Sequence, residues 1–213
     1  TIGTLFTIGD AKWSQIDTPA KTDKAFGDAA IFVISRSGGE GVDSTIYGGN
    51  AADFGDGNYL KLSPTERDVL KNLKLQKDAG VFKRIIVLMN SANQVECEFV
   101  DDPQYGIDAF LWVGTYGETG ANAIGKILAG EVNPSGRTVD LWAADFTKDP
   151  TFVNEAVGHY TDVEGYYAAS GGTAYFLEYE EGIYIGATKA QVEKAYGADA
   201  FNGDAAGNNA QGC

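Results

Sequence analysis

The chain has 213 residues, of which 30 are acidic and 16 are basic, so its formal net charge is −14. This acidic balance argues against nucleic acid and against an anionic membrane surface as partners, because both require clustered lysine and arginine. A neutral ligand such as a sugar remains compatible with the composition. The length is sufficient for one domain with a real hydrophobic core, or for one domain and a tail.

Few side chains are available for metal or nucleophilic chemistry. The sequence contains two cysteines, Cys97 and Cys213, and one histidine, His159. Two cysteines are too few for a disulfide framework or a thiolate zinc site, and one histidine excludes a multi-histidine site. We therefore expect no metal and no cofactor. The sequence also shows neither a run of 18 apolar residues nor a signal-peptide pattern, so we expect no membrane association and assign no compartment.

Three short apolar runs predict the strands of a sheet. They occupy residues 29–34, 84–89 and 109–113, and each run is continuous rather than alternating. Continuous runs of this length are typical of parallel strands that are covered on both faces. A fourth strand is predicted over residues 137–142, after a turn at residues 133–136.

Two helices are predicted between and after these strands. Ser63 can cap the first helix, Pro64 suits its first position, and Glu66 completes a capping box. Gly80 is a plausible end for this helix. The second helix is predicted over residues 119–129. Alternating strands and helices indicate an open, mostly parallel α/β sheet flanked by helices, as in a flavodoxin-like α/β sandwich.

Ligands of open α/β sheets bind beyond the carboxyl ends of the strands, which directs attention to three loops. The loops span residues 35–43, 90–93 and 114–120. In the first loop, glycines flank Glu40 and allow a tight turn that presents its carboxylate away from the fold. The spacing alone favours a solvated acid over a catalytic one. The loop also lacks the GxGxxG spacing of a phosphate-binding turn, which disfavours a nucleotide site.

Other polar and aromatic residues near these loops have structural interpretations. Glu118 and Thr119 suit the start of the second helix, where acidic and capping residues are favourable. Asn90 and Asn93 are typical turn-forming residues. Trp112 could stack on a sugar ring, but it lies within an apolar strand, so we expect it to belong to the core.

Several segments, in their order along the chain, resemble glycoside hydrolase family 3. The segments are ISRSGGEGVD (34–43), LKLS (60–63), IIVLMN (85–90), WVG (112–114), GETGANA (117–123), GEVNPSGR (130–137) and YEEGIYIG (179–186). One segment alone would be weak, but all of them in order are a strong signal. We therefore predict an α/β sandwich domain over residues 1–186 and a divergent tail of flexible composition over residues 187–213.

The resemblance implies a retaining, exo-acting β-glycosidase. Members of the family bind the sugar between a (β/α)8 barrel, which carries an aspartate nucleophile, and an α/β sandwich domain. In many members the sandwich domain supplies a glutamate acid/base from a loop, and the resemblance places Glu40 at that position. Arg36 and Asp43, in the same segment, are candidate substrate-binding residues. The expected partners are a small carbohydrate substrate and a barrel domain or chain that carries the nucleophile.

The chain departs from the family pattern at both ends. We find neither a barrel nor the Ile-Gly-Pro strand that normally opens the sandwich domain, and the sequence after Gly186 diverges. We therefore expect one piece of a larger enzyme, with the missing part on either side. The alternative is a non-catalytic carbohydrate-binding or interaction module derived from such an enzyme, which the tyrosine-rich residues 160–184 would suit.

Overall fold

A computed structural model of the chain describes residues 13–14, 27–40, 44 and 58–148, and the backbone of residues 156–157 and 175–176. The strands are β1 (Ala29–Arg36), β2 (Arg84–Ser91), β3 (Ala109–Trp112), β4 (Ala156–Val157) and β5 (Tyr175–Phe176). The helices are α1 (Pro64–Asp78), α2 (Gly117–Leu128) and a short 3-10 helix (Phe146–Lys148). Asp43, His159, Cys213, most of the tyrosine-rich segment and the predicted tail lie outside the described residues.

The first three strands form a parallel sheet in the order β1-β2-β3. Ala29 lies opposite Arg84, Arg36 lies opposite Ser91, and Trp112 lies opposite Met89. The predicted parallel α/β sheet is therefore confirmed. Strands β1 and β2 each extend two residues further towards their carboxyl ends than the apolar runs predict.

Burial alternates along β1. Ile34 and Arg36 are buried, whereas Ile31 is 49% exposed and Val33 is 52% exposed. The prediction that this strand is covered on both faces is therefore wrong. Strand β1 stands at one end of the described strand order, whereas the middle strand β2 is buried more continuously. A continuous apolar run does not by itself distinguish one covered face from two.

Helix α1 begins with the predicted capping box. The Glu66 N–H donates to Ser63 Oγ at 3.1 Å, and the Ser63 N–H donates to Glu66 Oε2 at 2.7 Å. Pro64 occupies the first helical position. After the helix, Gly80 adopts a φ of 75°, a conformation that favours glycine, so the predicted end is also confirmed. The buried apolar residues of α1 are Val69, Leu70 and Leu73.

Helix α2 begins at Gly117, two residues before its predicted start. Its N-cap is Tyr116, which makes no side-chain capping hydrogen bond, so Thr119 lies inside the first turn and does not cap. Glu118 also lies in the first turn, where its charge is favourable to the helix dipole. No residue of α2 is buried. Among the described helices, none combines the length and the apolarity that crossing a membrane requires.

The prediction of a fourth strand is wrong. Residues 137–142 form no strand, and within them Val139 is 98% exposed and Leu141 is half-exposed. Apolar residues alternate in this segment, but no face of the described sheet buries them. The segment leads instead to Ala143, whose carbonyl accepts a hydrogen bond from the Cys97 N–H at 3.1 Å.

The described residues belong to two compact units. The first contains the three-stranded sheet and both α-helices, and the second contains Glu96–Glu98 and the residues from Thr138 onward. In the second unit, the Phe146 N–H donates to Glu96 Oε1 at 3.2 Å, and strands β4 and β5 pair in antiparallel fashion. The division into a domain at residues 1–186 and a tail at residues 187–213 stays a prediction.

A buried ion pair joins the end of β1 to the start of α1. The two terminal nitrogens of Arg36 donate to the two carboxylate oxygens of Glu66 at 2.7 and 2.6 Å, and both side chains are almost fully buried. The remaining N–H groups donate to the carbonyls of Ser35, Tyr59 and Lys61 at 2.7–2.8 Å. All five N–H donors of the guanidinium are therefore used inside the protein.

We expect Glu66→Gln to lower the free energy of unfolding by about 3 kcal/mol, because it leaves the buried Arg36 charge without its counter-ion. Urea unfolding of the 213-residue chain, followed by circular dichroism, measures this loss. Glu118→Gln is the matched control, since Glu118 is exposed, and it should change stability by less than about 0.5 kcal/mol. Equal losses in the two variants would contradict a stabilising role for the pair.

A second carboxylate, that of Asp108, accepts hydrogen bonds at the start of β2. Asp108 Oδ2 accepts hydrogen bonds from the Ile85 N–H at 2.7 Å and from Lys77 Nζ at 2.6 Å. Burial disfavours the charged carboxyl, but the hydrogen bonds from Lys77 and Ile85 and the positive charge of Lys77 together outweigh it. They hold the pKa of Asp108 below its ordinary value of 3.8. The native state therefore favours the ionised carboxylate more than the unfolded chain does.

This lowered pKa predicts a loss of stability in acid. The contribution of Asp108 is present above about pH 4 and disappears as the pH falls through the native-state pKa. Asp108→Asn should therefore be less stable than the wild type by roughly 1 kcal/mol at pH 7, and the two should converge as the pH falls below the native-state pKa of Asp108. Urea unfolding at a series of pH values measures the difference. Asp101→Asn, which changes an exposed acid, is the control and should change stability at pH 7 by less than about 0.5 kcal/mol.

Candidate active site

The candidate loop begins where β1 ends, at the carboxyl edge of the sheet. Arg36 is the last residue of β1, and residues 37–40 follow it directly. Glu40 is exposed. The described part of the loop thus presents a carboxyl group at the carboxyl edge of the sheet, where the sequence predicts ligand binding. Asp43 lies outside the described residues, and its predicted role in substrate binding stays a prediction.

Arg36 lies beneath the loop and does not project from it. The sequence predicts that Arg36 binds substrate, but its guanidinium is buried and its five N–H donors are committed to Glu66 and to backbone carbonyls. A sugar hydroxyl would have to displace one of these partners, and displacing Glu66 would break a buried ion pair. The geometry therefore gives Arg36 a supporting position.

Tyr59 connects this ion pair to the loop. The Tyr59 carbonyl accepts from Arg36 Nε at 2.8 Å, and its ring centroid lies 5.4 Å from Arg36 Cζ, within cation–π range. At the other end of the side chain, the Ser37 N–H donates to the Tyr59 hydroxyl at 2.9 Å, and the two hydroxyl groups lie 3.1 Å apart. Tyr59 thus ties the first loop residue to the buried charge.

A second set of contacts holds the loop from the other side. Ser44 Oγ donates to the Ser37 carbonyl at 3.3 Å, and Asn93 Nδ2 donates to Ser44 Oγ at 3.0 Å. Asn93 is itself held by Ser91, whose hydroxyl accepts from the Asn93 N–H at 3.1 Å and donates to the Asn93 carbonyl at 2.7 Å. The loops after β1 and β2 therefore meet. We call Ser37, Ser44, Tyr59 and Asn93 the polar clamp.

Gly38 sits where the clamp leaves no room for a side chain. A Cβ at this position would lie 2.5 Å from Asn93 Nδ2 and 2.7 Å from Ser44 Oγ. A Cβ at Gly39 would meet no atom of the described residues within 4 Å. The two neighbouring glycines therefore differ, since only the first brings the backbone close to the clamp. Sequence reasoning interpreted the glycines near Glu40 only as turn formers and missed this packing.

Trp112 is partly exposed, so the prediction that it belongs to the core is wrong. Its side chain is 41% exposed, and its indole N–H donates to the Ser91 carbonyl at 2.7 Å. Strand β3 stands at the other end of the described strand order, which explains how a residue in an apolar strand reaches solvent. The hydrogen bond fixes the indole at the same edge of the sheet as the polar clamp.

A carboxyl group at this position is chemically able to donate or accept a proton. An exposed carboxyl group follows a loop base that is fixed by hydrogen bonds from two directions. Among the residues that the structure describes, no three His, Cys, Asp or Glu side chains come together in a way that could hold a metal ion.

The family of the chain follows from its match to a known domain. The model of the glycosyl hydrolase family 3 C-terminal domain matches residues 11–187. The chain belongs to this family. The resemblance found in the ordered sequence segments is thereby confirmed.

Relatives of this family 3 domain carry the name β-glucosidase. The chain is 29% identical to the β-glucosidase of Ruminococcus albus over 163 residues, which cover 74% of the chain and 15% of that relative. It is 30% identical to β-glucosidase A of Butyrivibrio fibrisolvens over 178 residues, covering 76% of the chain and 19% of that relative. The chain therefore spans less than a fifth of the length of either enzyme.

A solved structure supports the same assignment. The fold is similar to that of a β-glucosidase from Paenibacillus barengoltzii, with a TM-score of 0.53 and 28% sequence identity. The similarity covers 65% of this chain and 14% of that one. The α/β architecture of a family 3 C-terminal domain is therefore shown.

We expect Gly38→Ala to disturb the polar clamp, because the added Cβ must displace Asn93 or Ser44. The loss of stability should be about 1–3 kcal/mol, as for other over-packed sites, and it is measured by urea unfolding. Gly39→Ala is the matched control and should change stability by less than about 0.5 kcal/mol. In an Asn93→Ala background the cost of Gly38→Ala should fall, since the closer of the two atoms is gone. An unchanged cost would contradict the packing explanation.

Proposed function

We propose that the chain is the part of a retaining exo-β-glycosidase that supplies the general acid/base, Glu40. The substrate class is a terminal, non-reducing, β-linked sugar such as a β-glucoside. The observation that carries the proposal is an exposed glutamate that follows a fixed loop base at the carboxyl edge of a family 3 C-terminal domain. The β-glucosidase names of the relatives in Ruminococcus albus and Butyrivibrio fibrisolvens support the reaction class.

The proposed chemistry needs two carboxyl groups with different roles. A nucleophilic carboxylate attacks the anomeric carbon while Glu40 donates its proton to the departing glycosidic oxygen. Glu40, now ionised, then takes a proton from the water that releases the sugar from the covalent intermediate. In retaining enzymes the two carboxyl groups lie about 5–5.5 Å apart. The nucleophile is an aspartate on a (β/α)8 barrel, a separate domain or chain.

The exposure of Glu40 suits a site that a second surface completes. A carboxyl in water is ionised at neutral pH, whereas a general acid must carry a proton. Contact with the sugar and with the nucleophile's domain would remove water from Glu40 and place a second carboxylate near it, and both effects favour the protonated form. We therefore infer that the chain by itself holds only half of the catalytic site.

The alternative is a non-catalytic module that binds carbohydrate. The observation in its favour is Trp112, whose partly exposed indole is held in place at the same edge of the sheet. Indole rings can bind the apolar faces of sugars. Tight binding of cello-oligosaccharides to the 213-residue chain alone, measured by titration calorimetry and abolished by Trp112→Ala, would favour this alternative. The glycosidase proposal expects little affinity from half a site.

We expect Glu40→Gln to slow the complete protein that carries this chain in a way that depends on the leaving group. Hydrolysis of alkyl β-glucosides and cellobiose should fall by about 10²–10⁴-fold, because a poor leaving group needs the lost proton. Formation of the glycosyl-enzyme from 2,4-dinitrophenyl β-glucoside should change little, since dinitrophenolate leaves without one. Steady-state and burst kinetics with both substrate types measure the difference.

Two further variants sharpen this test. Glu40→Ala should regain turnover on the dinitrophenyl substrate when azide is added, with a β-glucosyl azide as product, because azide attacks the intermediate without a general base. Glu118→Ala, which removes another exposed acid from the same edge of the sheet, should match the wild type. An unchanged dependence on the leaving group in Glu40→Gln would overturn the assignment of Glu40.

A further inference from the structure

We propose that Tyr59 is a positioning residue for Glu40. The Tyr59 hydroxyl group accepts a hydrogen bond from the Ser37 N–H and so fixes the start of the loop that carries Glu40. This inference rests on the proposed acid/base role of Glu40 and adds the residue that places it. The carboxyl group cannot place itself, because no hydrogen bond or ion pair joins it to a described residue. Among the described residues, those that lead to Glu40 are the ones that can fix its position.

The chain between Ser37 and Glu40 is short and contains no side chain beyond hydrogen. It consists of Gly38 and Gly39, and glycine restricts the backbone less than any other residue. Among the described residues, no atom lies within 4 Å of a Cβ built at Gly39. The backbone of Gly39 takes part in an isolated β-bridge. Ser37 and Gly38 are the loop residues that the polar clamp contacts.

Within the clamp, the contact from Tyr59 is the stronger one. The Ser37 N–H lies 2.9 Å from the Tyr59 hydroxyl, at the preferred length of such a bond. The Ser44 hydroxyl reaches the Ser37 carbonyl only at 3.3 Å. A second contact between the hydroxyl groups of Tyr59 and Ser37, at 3.1 Å, adds to the first. Tyr59 therefore makes shorter contacts with Ser37 than Ser44 does.

Tyr59 is also rigid enough to serve as a reference point. Its carbonyl is bound by the buried Arg36, and its ring lies over the guanidinium. The turn around it is fixed by Asn58, whose side-chain oxygen accepts from the Leu60 N–H at 2.9 Å. The described contacts of Tyr59 with the loop residue Ser37 are made by its hydroxyl group. Tyr59→Phe therefore removes the contact with Ser37 and keeps the ring, the carbonyl and the ion pair.

The experiment uses Tyr59→Phe in the complete protein that carries this chain. A misplaced acid fails where protonation is needed, so kcat on alkyl β-glucosides should fall by about 10- to 100-fold, with KM little changed. Hydrolysis of 2,4-dinitrophenyl β-glucoside should form the glycosyl-enzyme within about twofold of the wild-type rate, because that step needs no proton. A merely structural defect would lower both rates together.

Tyr105→Phe is the matched control. Tyr105 is buried, and its hydroxyl group accepts a hydrogen bond from Arg67 at 3.4 Å, so the variant also removes a hydroxyl that binds a nitrogen donor. Tyr105→Phe should leave the ratio of kcat on alkyl β-glucosides to the rate of glycosyl-enzyme formation from 2,4-dinitrophenyl β-glucoside at its wild-type value. Ser44→Ala, which loosens the other side of the clamp, should shift the ratio in the same direction as Tyr59→Phe but by a smaller factor.

A readout that does not depend on activity separates the two proposals. Amide hydrogen exchange of Ser37 in the 213-residue chain should become faster in Tyr59→Phe and stay unchanged in Tyr105→Phe. If Glu40→Gln changes the leaving-group dependence and Tyr59→Phe does not, the positioning role is overturned and the proposed function stands. If neither Glu40→Gln nor Tyr59→Phe changes the leaving-group dependence, both the proposed function of Glu40 and the positioning role of Tyr59 are overturned. Unchanged exchange at Ser37 overturns the positioning role by itself.

Discussion

The buried pairing of Arg36 with Glu66 is the constraint on which the candidate site depends. Two charges removed from water are tolerated only when every donor and acceptor is satisfied, and here the guanidinium uses all five of its N–H groups. Those partners come from the end of β1, from the turn at residues 58–61 and from the first turn of α1. Satisfying one cation therefore fixes three separate segments in a single arrangement.

The loop that carries Glu40 has a base held by hydrogen bonds and an exposed carboxyl group. Tyr59 links the base of the loop to the ion pair. Ser44 and Asn93 link it to the loop after β2. The tip of the loop contains glycine and an exposed carboxyl group. In the proposed enzyme this division is useful, because the acid must meet a sugar held partly by another domain. A fixed base limits where the carboxyl group can go.

Sequence reasoning succeeded where the determinants are local. The capping box at Ser63 and Glu66 and the glycine after α1 were predictable, because their partners lie within one turn of the chain. Reasoning from apolar runs placed the three strands but ended two of them early, since Ser35 and Arg36 are polar residues that continue β1. It also placed a fourth strand at residues 137–142, where alternation is present but no sheet face receives it.

The sequence by itself determined the parallel α/β framework, the family, and the loop in which Glu40 lies. Only the tertiary structure decided what surrounds that loop. It places the guanidinium of Arg36 in a buried ion pair with Glu66, and it exposes Trp112 at the end of the described sheet. The physical reason is distance along the chain. The partners that matter are 22 residues apart for Ser37 and Tyr59, 30 for Arg36 and Glu66, and 49 for Ser44 and Asn93, and no local periodicity encodes such pairs.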